Sequence, residues 1–403
     1  MSVPVIIAGG GIVGCATAYY CAREGMNVTL LERKAIGYGA SGRNPGFLWL
    51  HCRTPGFALE IARAGRKLYP QLLEELPGGF EFRPSGGLMY FTTPDQGAVF
   101  EEFIAARRAS GLDMSLIDSA EVRRLVPPIR RDVLGASYCT EDAQIVTSTV
   151  VDALARGTRA EGATIREGVT VERLVFSGDR VVGVDTDAGR FTGDAIVIAT
   201  GAWSTALLAS ADVEIPIGGE RLQITSTVPQ PFWIEPLVFG PNATKQYAIF
   251  RDLRSWDPAL FTNDLELRDG LVLLPLLVQR ASGELLLGCA TDYPGDLDPH
   301  PTLAGIAQIA AGVAEDYPSL RNVPITRTWA GNLPYTSDQA PVIDEVRPGL
   351  FVGAGHVFGN TAGPVTGRVL SQLIAGCEPY FDISECRFGR PLDPIAIGAP
   401  THW

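Results

Sequence analysis

The hydrophobic pattern at the start of the chain predicts a strand, a helix and a second strand. Residues 3–8 are a continuous apolar run, which is typical of a parallel strand covered on both faces. Residues 12–24 carry apolar side chains at helical spacing, and Gly25 can end that helix. Residues 28–31 form a second apolar run with Glu32 at its tip. The pattern therefore predicts a β-α-β unit.

Comparable patterns divide the remaining chain into further elements. Apolar periodicity predicts helices at 57–76, 101–110, 119–125, 147–161 and 302–314. Alternating or continuous apolar runs predict strands at 86–93, at three places between 164 and 194, and at 195–200, 220–228, 271–278, 284–290, 326–333 and 350–353. The apolar strands at 3–8, 195–200 and 350–353 each end in a turn of small residues, so their C-terminal ends can face one extended ligand.

The length of the chain bears on its domain organisation. A chain of 403 residues is too long for one compact core and predicts two domains. Between residues 219 and 333 we expect little helix apart from 302–314, which indicates a separate mixed sheet. The predicted fold class is therefore mixed α/β (α+β), with a second domain that carries its own sheet.

Charge and cysteine content narrow the possible partners. With 33 basic and 45 acidic residues the net charge is −12, which argues against nucleic acid or anionic lipid as a partner. No apolar run reaches the roughly 18 residues of a membrane span, and no targeting signal precedes the first strand, so we expect a cytoplasmic protein. The seven cysteines are an odd number without a C-x-x-C pair, which predicts reduced thiols and no metal site.

The turn after the first strand carries the strongest chemical signal. Gly9, Gly11 and Gly14 match G-x-G-x-x-G between the first strand and the first helix, and Glu32 ends the second strand. The first glycine permits a tight turn, the second lets a pyrophosphate approach the backbone, and the third lets helix and strand pack closely. The helix N-terminus favours phosphate. The arrangement predicts a dinucleotide site, with Glu32 on a ribose hydroxyl.

A family resemblance extends this prediction to almost the whole chain. The stretches "GGGIVG", "LLERKAIGYGASGRNPG", "VIATGAWS" and "GLFVGAGHVFGNTAGPVTG" together resemble the D-amino acid oxidase and glycine/sarcosine oxidase (DAO) family of FAD-dependent amine oxidoreductases. The resemblance implies a glutathione-reductase-like Rossmann domain for FAD and a substrate domain on a mixed, mainly antiparallel sheet. We expect residues 1–85, 143–215 and 334–395 in the FAD domain, and 86–142 and 216–333 in the substrate domain.

The resemblance also implies a set of cofactor contacts. The implied contacts of the ADP half are Gly9, Gly11, Ile12, Val13, Gly14, Glu32 and Arg33, and those of the flavin edge are Ser41, Gly42, Arg43, Asn44, Gly46, Phe47 and Leu48. Val171 would contact the adenine, and the pyrophosphate region would contact Thr200, Gly201 and Trp203. The pyrimidine side of the flavin would contact Gly355, His356, Gly359, Asn360 and Thr361.

The implied reaction is oxidation of the C-N bond of an amino acid or N-substituted amino acid. Hydride would pass to flavin N5 and leave an imine that water hydrolyses. The chain departs from the family pattern at three positions. Leu333 stands where many members have a carboxylate-binding arginine, Gly331 where some have a cysteine bonded to the flavin, and Leu286 where some have an oxygen-activating lysine. Non-covalent FAD is therefore expected, with O₂, a quinone or another carrier as electron acceptor.

The missing arginine leaves the substrate site to other residues. Arg43, His51 and Arg53 lie in or just after the predicted flavin loop, and our hypothesis is that Arg43 or Arg53 holds the substrate's anionic group, with His51 beside the amine. Two alternatives stay open at this point. One is an FAD-dependent 2-hydroxy acid dehydrogenase, and the other is a flavin subunit of a heteromeric electron-transfer complex.

Overall fold

A computed structural model describes residues 3–261, 270–297 and 299–395. It contains a six-stranded sheet, an eight-stranded sheet and two three-stranded sheets. The strands are β1 Pro4–Ala8, β2 Asn27–Glu32, β3 Phe47–Leu48, β4 Phe82–Arg83, β5 Gly87–Phe91, β6 Met114–Asp118, β7 Gly135–Cys139, β8 Ala143–Ile145, β9 Thr164–Glu167, β10 Val171–Ser177, β11 Arg180–Thr186, β12 Gly189–Thr192, β13 Ala195–Ile198, β14 Gly218–Thr227, β15 Leu237–Phe239, β16 Val272–Gln279, β17 Leu285–Asp292, β18 Ile325–Tyr335, β19 Val342–Arg347 and β20 Leu350–Ala354. The helices are α1 Ile12–Arg23, α2 Phe57–Glu75, α3 Pro94–Ala109, α4 Ser119–Leu125, α5 Thr147–Ala160, α6 Ser204–Ala209, α7 Leu303–Asp316 and α8 Gly359–Ile374.

The six-stranded sheet brings the three predicted strand ends together. Its order is β19-β20-β13-β1-β2-β9. All neighbours are parallel except β19, which pairs antiparallel with β20. Since β1, β13 and β20 are adjacent and parallel, the turns that follow them lie side by side at one edge. The predicted convergence of these three turns is confirmed.

The eight-stranded sheet is the larger of the two main sheets. Its order is β18-β14-β17-β16-β15-β5-β7-β6, and its neighbours are antiparallel except the parallel pair of β15 and β5. Residues 87–139 and 218–335 supply its strands. The mixed α/β fold class predicted from the sequence is confirmed.

Most predicted elements occur within a few residues of their expected bounds, and the differences have local causes. Helix α3 begins at Pro94, earlier than residue 101, because Thr93 accepts a hydrogen bond from the Gln96 N-H and proline suits the first helical turn. The stretch 164–192 holds four strands, since β9 joins the six-stranded sheet beside β2. Short strands such as β15 carry too few residues to show a period.

Helix α1 is the centre of the cofactor-side core. Every residue from Ile12 to Ala22 is buried, because α5 and α8 both pack against the helix. A helix that is apolar on all sides is expected to be enclosed in this way. A β-carbon at Gly367 of α8 would contact the Ala16 β-carbon at 2.5 Å and the Thr17 nitrogen at 2.6 Å. Glycine at this position therefore lets the two helices approach closely.

Helices long and apolar enough to cross a bilayer are absent from the residues that the structure describes.

Replacing Gly367 by alanine tests this close approach. The added methyl group would meet the backbone of α1, so we expect the free energy of unfolding to fall by about 2 kcal/mol, the usual cost of overpacking. Urea denaturation followed by circular dichroism measures this change. An unchanged unfolding midpoint would contradict the packing of α1 against α8.

Candidate active site

One elongated cavity of about 320 Å³ connects the two large sheets. At one end it is lined by the turn after β1, from Gly9 to Val13, and at the other by Leu274 and Leu276 of β16 and Leu333 of β18. The turns after β13 and β20 also line it. The cavity therefore begins at the carboxyl edge of the six-stranded sheet, where doubly wound folds bind ligands, and ends at the second sheet.

Glycine is required at the start of the cavity by close backbone contacts. Gly9 has a φ of +106°, and a β-carbon there would collide with the Ala199 carbonyl oxygen. A β-carbon at Gly14 would collide with the carbonyl oxygen of Gly9. The turn therefore packs directly on the residue that follows β13, and the first turn of α1 packs on Gly9. This leaves the N-terminus of α1 at the wall of the cavity.

Polar side chains order the turn around this helix N-terminus. Glu32 Oε2 accepts a hydrogen bond from the Gly10 N-H at 2.7 Å, and Oε1 accepts one from the Lys34 N-H at 2.9 Å. Ser41 Oγ accepts a hydrogen bond from the Ile12 N-H at 2.9 Å. Both side chains line the cavity. The carboxylate is thus held at the tip of β2, where the sequence motif predicts a ribose contact.

A hydrogen bond between two asparagine side chains joins the loop after β2 to the start of α8. Asn360 Nδ2 donates to Asn44 Oδ1 at 3.0 Å, and the same oxygen accepts from the Gly46 N-H and from Thr147 Oγ1. These two asparagines are 316 positions apart in the chain, and both line the cavity. This hydrogen bond fixes the positions of two walls of the cavity relative to each other.

The turn after β20 places a neutral histidine against the cavity. His356 follows Gly355, whose φ is +78°, and its Nε2 lies 2.8 Å from Thr366 Oγ1. Burial lowers the pKa of His356 to about 3. The imidazole therefore stays uncharged at neutral pH and is expected to contribute packing and a hydrogen bond rather than a positive charge.

The far end of the cavity is apolar with a few buried polar groups. Leucines 222, 274, 276 and 333 form much of its wall. Among them lie Arg53, Glu220 and Asn332, which are only 4%, 1% and 3% exposed. An apolar pocket with few convergent polar groups is the usual form of a small-molecule site.

Arg53 is a buried cation with unused donors. Its Nε and Nη1 have no hydrogen-bond partner among the residues that the structure describes, and its guanidinium lies over the ring of Phe358. Burial lowers the pKa of Arg53 to about 9, while Tyr247 partly opposes this shift. Arg53 also borders a second cavity of about 160 Å³, which shares His356, Val357 and Phe358 with the first.

His51 and Arg43 are not brought into the cavity. His51 is completely buried, with Nδ1 at 3.1 Å from Asp142 Oδ2 and Nε2 at 2.7 Å from Ser137 Oγ. Burial is the largest influence on the pKa of His51 and lowers it. Arg43 donates to the carbonyl oxygens of Tyr38 and Ala330. The hypothesis that either residue contacts the substrate is therefore not supported, because the hydrogen bonds of both are directed to other parts of the protein.

The predicted cofactor residues fall into two groups. Those that line the cavity are Gly9, Gly11, Ile12, Val13, Glu32, Arg33, Ser41, Asn44, Phe47, Val171, Thr200, Gly201, Trp203, His356, Gly359 and Asn360. Those outside its lining are Gly14, Gly42, Arg43, Gly46, Leu48, Gly355 and Thr361. Several glycines of the second group permit close turns: a β-carbon at Gly42 would collide with the Gly37 carbonyl oxygen, and one at Gly46 with that of Ile145.

Sequence reasoning missed most residues at the far end. Trp49, Glu220, Tyr247, Cys289, Thr291 and Asn332 line the cavity without having been predicted. Of these, Glu220 alone is a charged residue within a predicted strand, the one feature by which the sequence could have marked it. Cys289, Thr291 and Asn332 become neighbours through strand pairing, and Trp49 and Tyr247 reach the cavity from loops, so no local motif records them.

The site fits FAD on three observations. The glycine turn leaves room for a pyrophosphate at the N-terminus of α1, and Glu32 is fixed at the tip of β2. The same cavity continues to its mostly apolar far end, which can take a ring system. Arg33 and Trp203 both line the cavity, and the Arg33 guanidinium lies 4.2 Å from the centre of the Trp203 ring. A nicotinamide dinucleotide would have no need of the turn after β20.

Comparisons with known proteins agree with this arrangement. The family described as "DAO: FAD dependent oxidoreductase" matches residues 4–373. Glycine oxidase of Bacillus licheniformis is 28% identical over 92% of this chain and 92% of its own length. Sarcosine oxidase subunit beta of Rhodobacter capsulatus is 25% identical over 99% of this chain and 92% of its own length. The crystal structure of glycine oxidase from Geobacillus kaustophilus has a TM-score of 0.82 with 23% identity, and covers 97% of this chain and 100% of that one. The match to the family spans nearly the whole chain, and the chain belongs to the DAO family of FAD-dependent oxidoreductases.

Proposed function

We propose that this FAD-dependent oxidoreductase oxidises the C-N bond of an amino acid or N-substituted amino acid whose carboxylate is held by Arg53. The observation that carries the proposal is the position of Arg53, a buried guanidinium in the wall of the cavity with two nitrogens unpartnered among the described residues. A buried charge without a partner is costly. A bound carboxylate would supply both the countercharge and the acceptors, in the geometry that a guanidinium prefers.

The names of the relatives favour an amino acid over a hydroxy acid. Two of them are glycine oxidases and another is a sarcosine oxidase subunit, so each is named for an amino acid substrate. The prediction of an FAD-dependent amine oxidoreductase is confirmed at the level of enzyme class. The hydroxy acid alternative is not favoured.

The residues of this chain would orient the substrate and exclude water. Arg53 would fix the carboxylate at one end of the substrate, and the leucine wall would surround the remaining apolar part. Bound FAD supplies the redox chemistry by accepting a hydride from the carbon next to the nitrogen. The resulting imine hydrolyses once it reaches water. Fixing the substrate in one orientation accounts for a large part of the rate in such reactions.

We further infer that cofactor binding is shared among three chain segments, after β1, β13 and β20, with Glu32 on the ribose and no covalent bond to the flavin. Gly331 supports the absence of that bond, since a glycine offers no sulfur. The electron acceptor would be O₂, a quinone or another carrier. Mixing substrate-reduced enzyme with each acceptor and comparing the rates of flavin reoxidation identifies the acceptor.

The Arg53→Met variant tests the carboxylate anchor. We expect the apparent affinity for glycine, sarcosine, D-alanine or L-proline, whichever reduces the flavin, to fall by about 10–100-fold, because a charge-assisted hydrogen bond is worth roughly 1.5–3 kcal/mol. Anaerobic bleaching of the flavin measures this affinity. Arg43→Met is the matched control, and a loss of affinity in that variant instead of Arg53→Met would transfer the role to Arg43.

The buried group of Asp142, His51 and Ser137 is expected to position Arg53 rather than to react. Asp142 Oδ1 accepts hydrogen bonds from the backbone N-H groups of Leu50 at 2.6 Å and His51 at 3.1 Å. The Arg107 guanidinium also donates to the carbonyl oxygens of Leu50 and His51. These bonds fix the segment that immediately precedes Arg53.

Asp142→Asn should disturb this segment. An amide presents a donor where the carboxylate presented an acceptor, which leaves a buried N-H unpaired at a cost of about 1–3 kcal/mol. We expect a lower unfolding midpoint together with a raised KM and a smaller change in kcat. Exposed Asp152 provides the control variant Asp152→Asn. Unaltered stability in Asp142→Asn would contradict the positioning role.

A further inference from the structure

We propose that Glu220 accepts the proton of the substrate's ammonium group and so delivers the neutral amine that oxidation requires. This inference rests on the proposed function, since it assigns a role in the same cavity. It concerns a residue for which the sequence pattern indicated no chemical role.

The position of Glu220 is suited to a bound cation. It lies on β14 opposite Leu333 of β18, lines the cavity and is 1% exposed. Its Oε2 has no hydrogen-bond partner among the described residues. The carboxyl group also interacts with the hydroxyl groups of Tyr293 and Thr291. One oxygen is thus available in an apolar chamber while neighbouring hydroxyls hold the side chain.

Other titratable groups of the cavity are less suited to this role. The Glu32 carboxylate already accepts hydrogen bonds from two backbone N-H groups. His356 has a pKa of about 3 and is hydrogen-bonded to the Thr366 hydroxyl group. Burial raises the pKa values of Tyr247 and Cys289 far above neutrality. His356, Tyr247 and Cys289 would therefore hold their protonation state throughout the neutral range.

The proton affinity of Glu220 matches that of an amine more closely than an ordinary carboxyl does. Burial raises the pKa of Glu220 to about 8, against the hydrogen bonds to Tyr293 and Thr291, which lower it. The charged and titratable groups around it are Asp292, Tyr293, Tyr335 and Cys289. Asp292 is paired with Arg221, which limits its repulsion. The carboxyl group is therefore mainly neutral below about pH 8 and ionised above it.

The proposed step is a proton transfer without any change in oxidation state. The substrate N-H bond breaks, its electron pair stays on nitrogen, and an O-H bond forms at Glu220 Oε2. The nitrogen lone pair that results can then assist departure of hydride from the adjacent carbon. General bases of this kind commonly contribute about 10²–10⁴-fold in rate.

The Glu220→Gln holoenzyme tests the assignment. In the wild-type enzyme we expect the apparent second-order rate constant for anaerobic flavin reduction by glycine, sarcosine, D-alanine or L-proline to rise with pH through about 8. In Glu220→Gln it should fall by about 100-fold at pH 7, and the rising limb should move towards the ammonium's own pKa. Acetate has a carboxylate but no amine. Its binding, followed by flavin difference spectra, should remain unchanged in this variant.

A second variant keeps the proposal testable if Glu220→Gln does not fold. Thr291→Val removes a hydrogen bond that lowers the pKa of Glu220, so the rising limb should move up by about one pH unit, the scale of one charge-assisted hydrogen bond. The control is Glu161→Gln on the exposed end of α5, which should leave the profile unchanged.

The outcomes separate this inference from the proposed function. If no amino acid reduces the flavin of the wild-type enzyme, the proposed function fails. If amino acids reduce it and the pH profile is unaltered in Glu220→Gln or in Thr291→Val, the proton-acceptor role of Glu220 is overturned while the function stands. Loss of acetate binding in Glu220→Gln would likewise overturn it, because the residue would then act on the carboxylate or on packing.

Discussion

The close contact of α1 with the strands and helices around it is the constraint on which the site depends. Gly9, Gly14 and Gly367 each lie where a β-carbon would meet backbone, so the helix can start at the edge of the sheet and remain enclosed along its length. Its free N-H groups then face the cavity and give it an anion-binding end. Larger residues at these positions would separate α1 from β13 or α8 and displace that end.

The two halves of the cavity are electrostatically different. Near the six-stranded sheet, the Glu32 carboxylate already accepts hydrogen bonds from two backbone N-H groups. Near the eight-stranded sheet, Arg53 and Glu220 are buried among leucines and each retains unused hydrogen-bonding capacity. A guanidinium with unused donors and a carboxyl group with an unused oxygen suit an amino acid in such an apolar chamber, since its carboxylate and its amine can each bind one of them.

Prediction from sequence succeeded where the signal is local. The β-α-β unit and its glycines follow from spacing alone, and the strands at 195–200 and 350–353 were recognisable as apolar runs ending in small residues. Prediction of substrate contacts depended on side-chain direction, which sequence does not contain. His51 and Arg53 are two positions apart, yet Asp142, 91 residues away from His51, holds the histidine inside the core, while the arginine reaches the cavity. The part played by β14 required knowing that it pairs with β17 and β18.

The hydrogen bond between Asn44 and Asn360 has a consequence for the order of events in biosynthesis. The turns after β1, β13 and β20 are separated in the chain by the segments that build the eight-stranded sheet. A nascent polypeptide on the ribosome can form the β-α-β unit early, but the wall that contains Asn360 forms only after the segments of the eight-stranded sheet have been translated. Enclosure of the cavity therefore follows synthesis of the strands of both large sheets, and a chain that stopped before β20 would have the glycine turn without the opposing wall of the cavity.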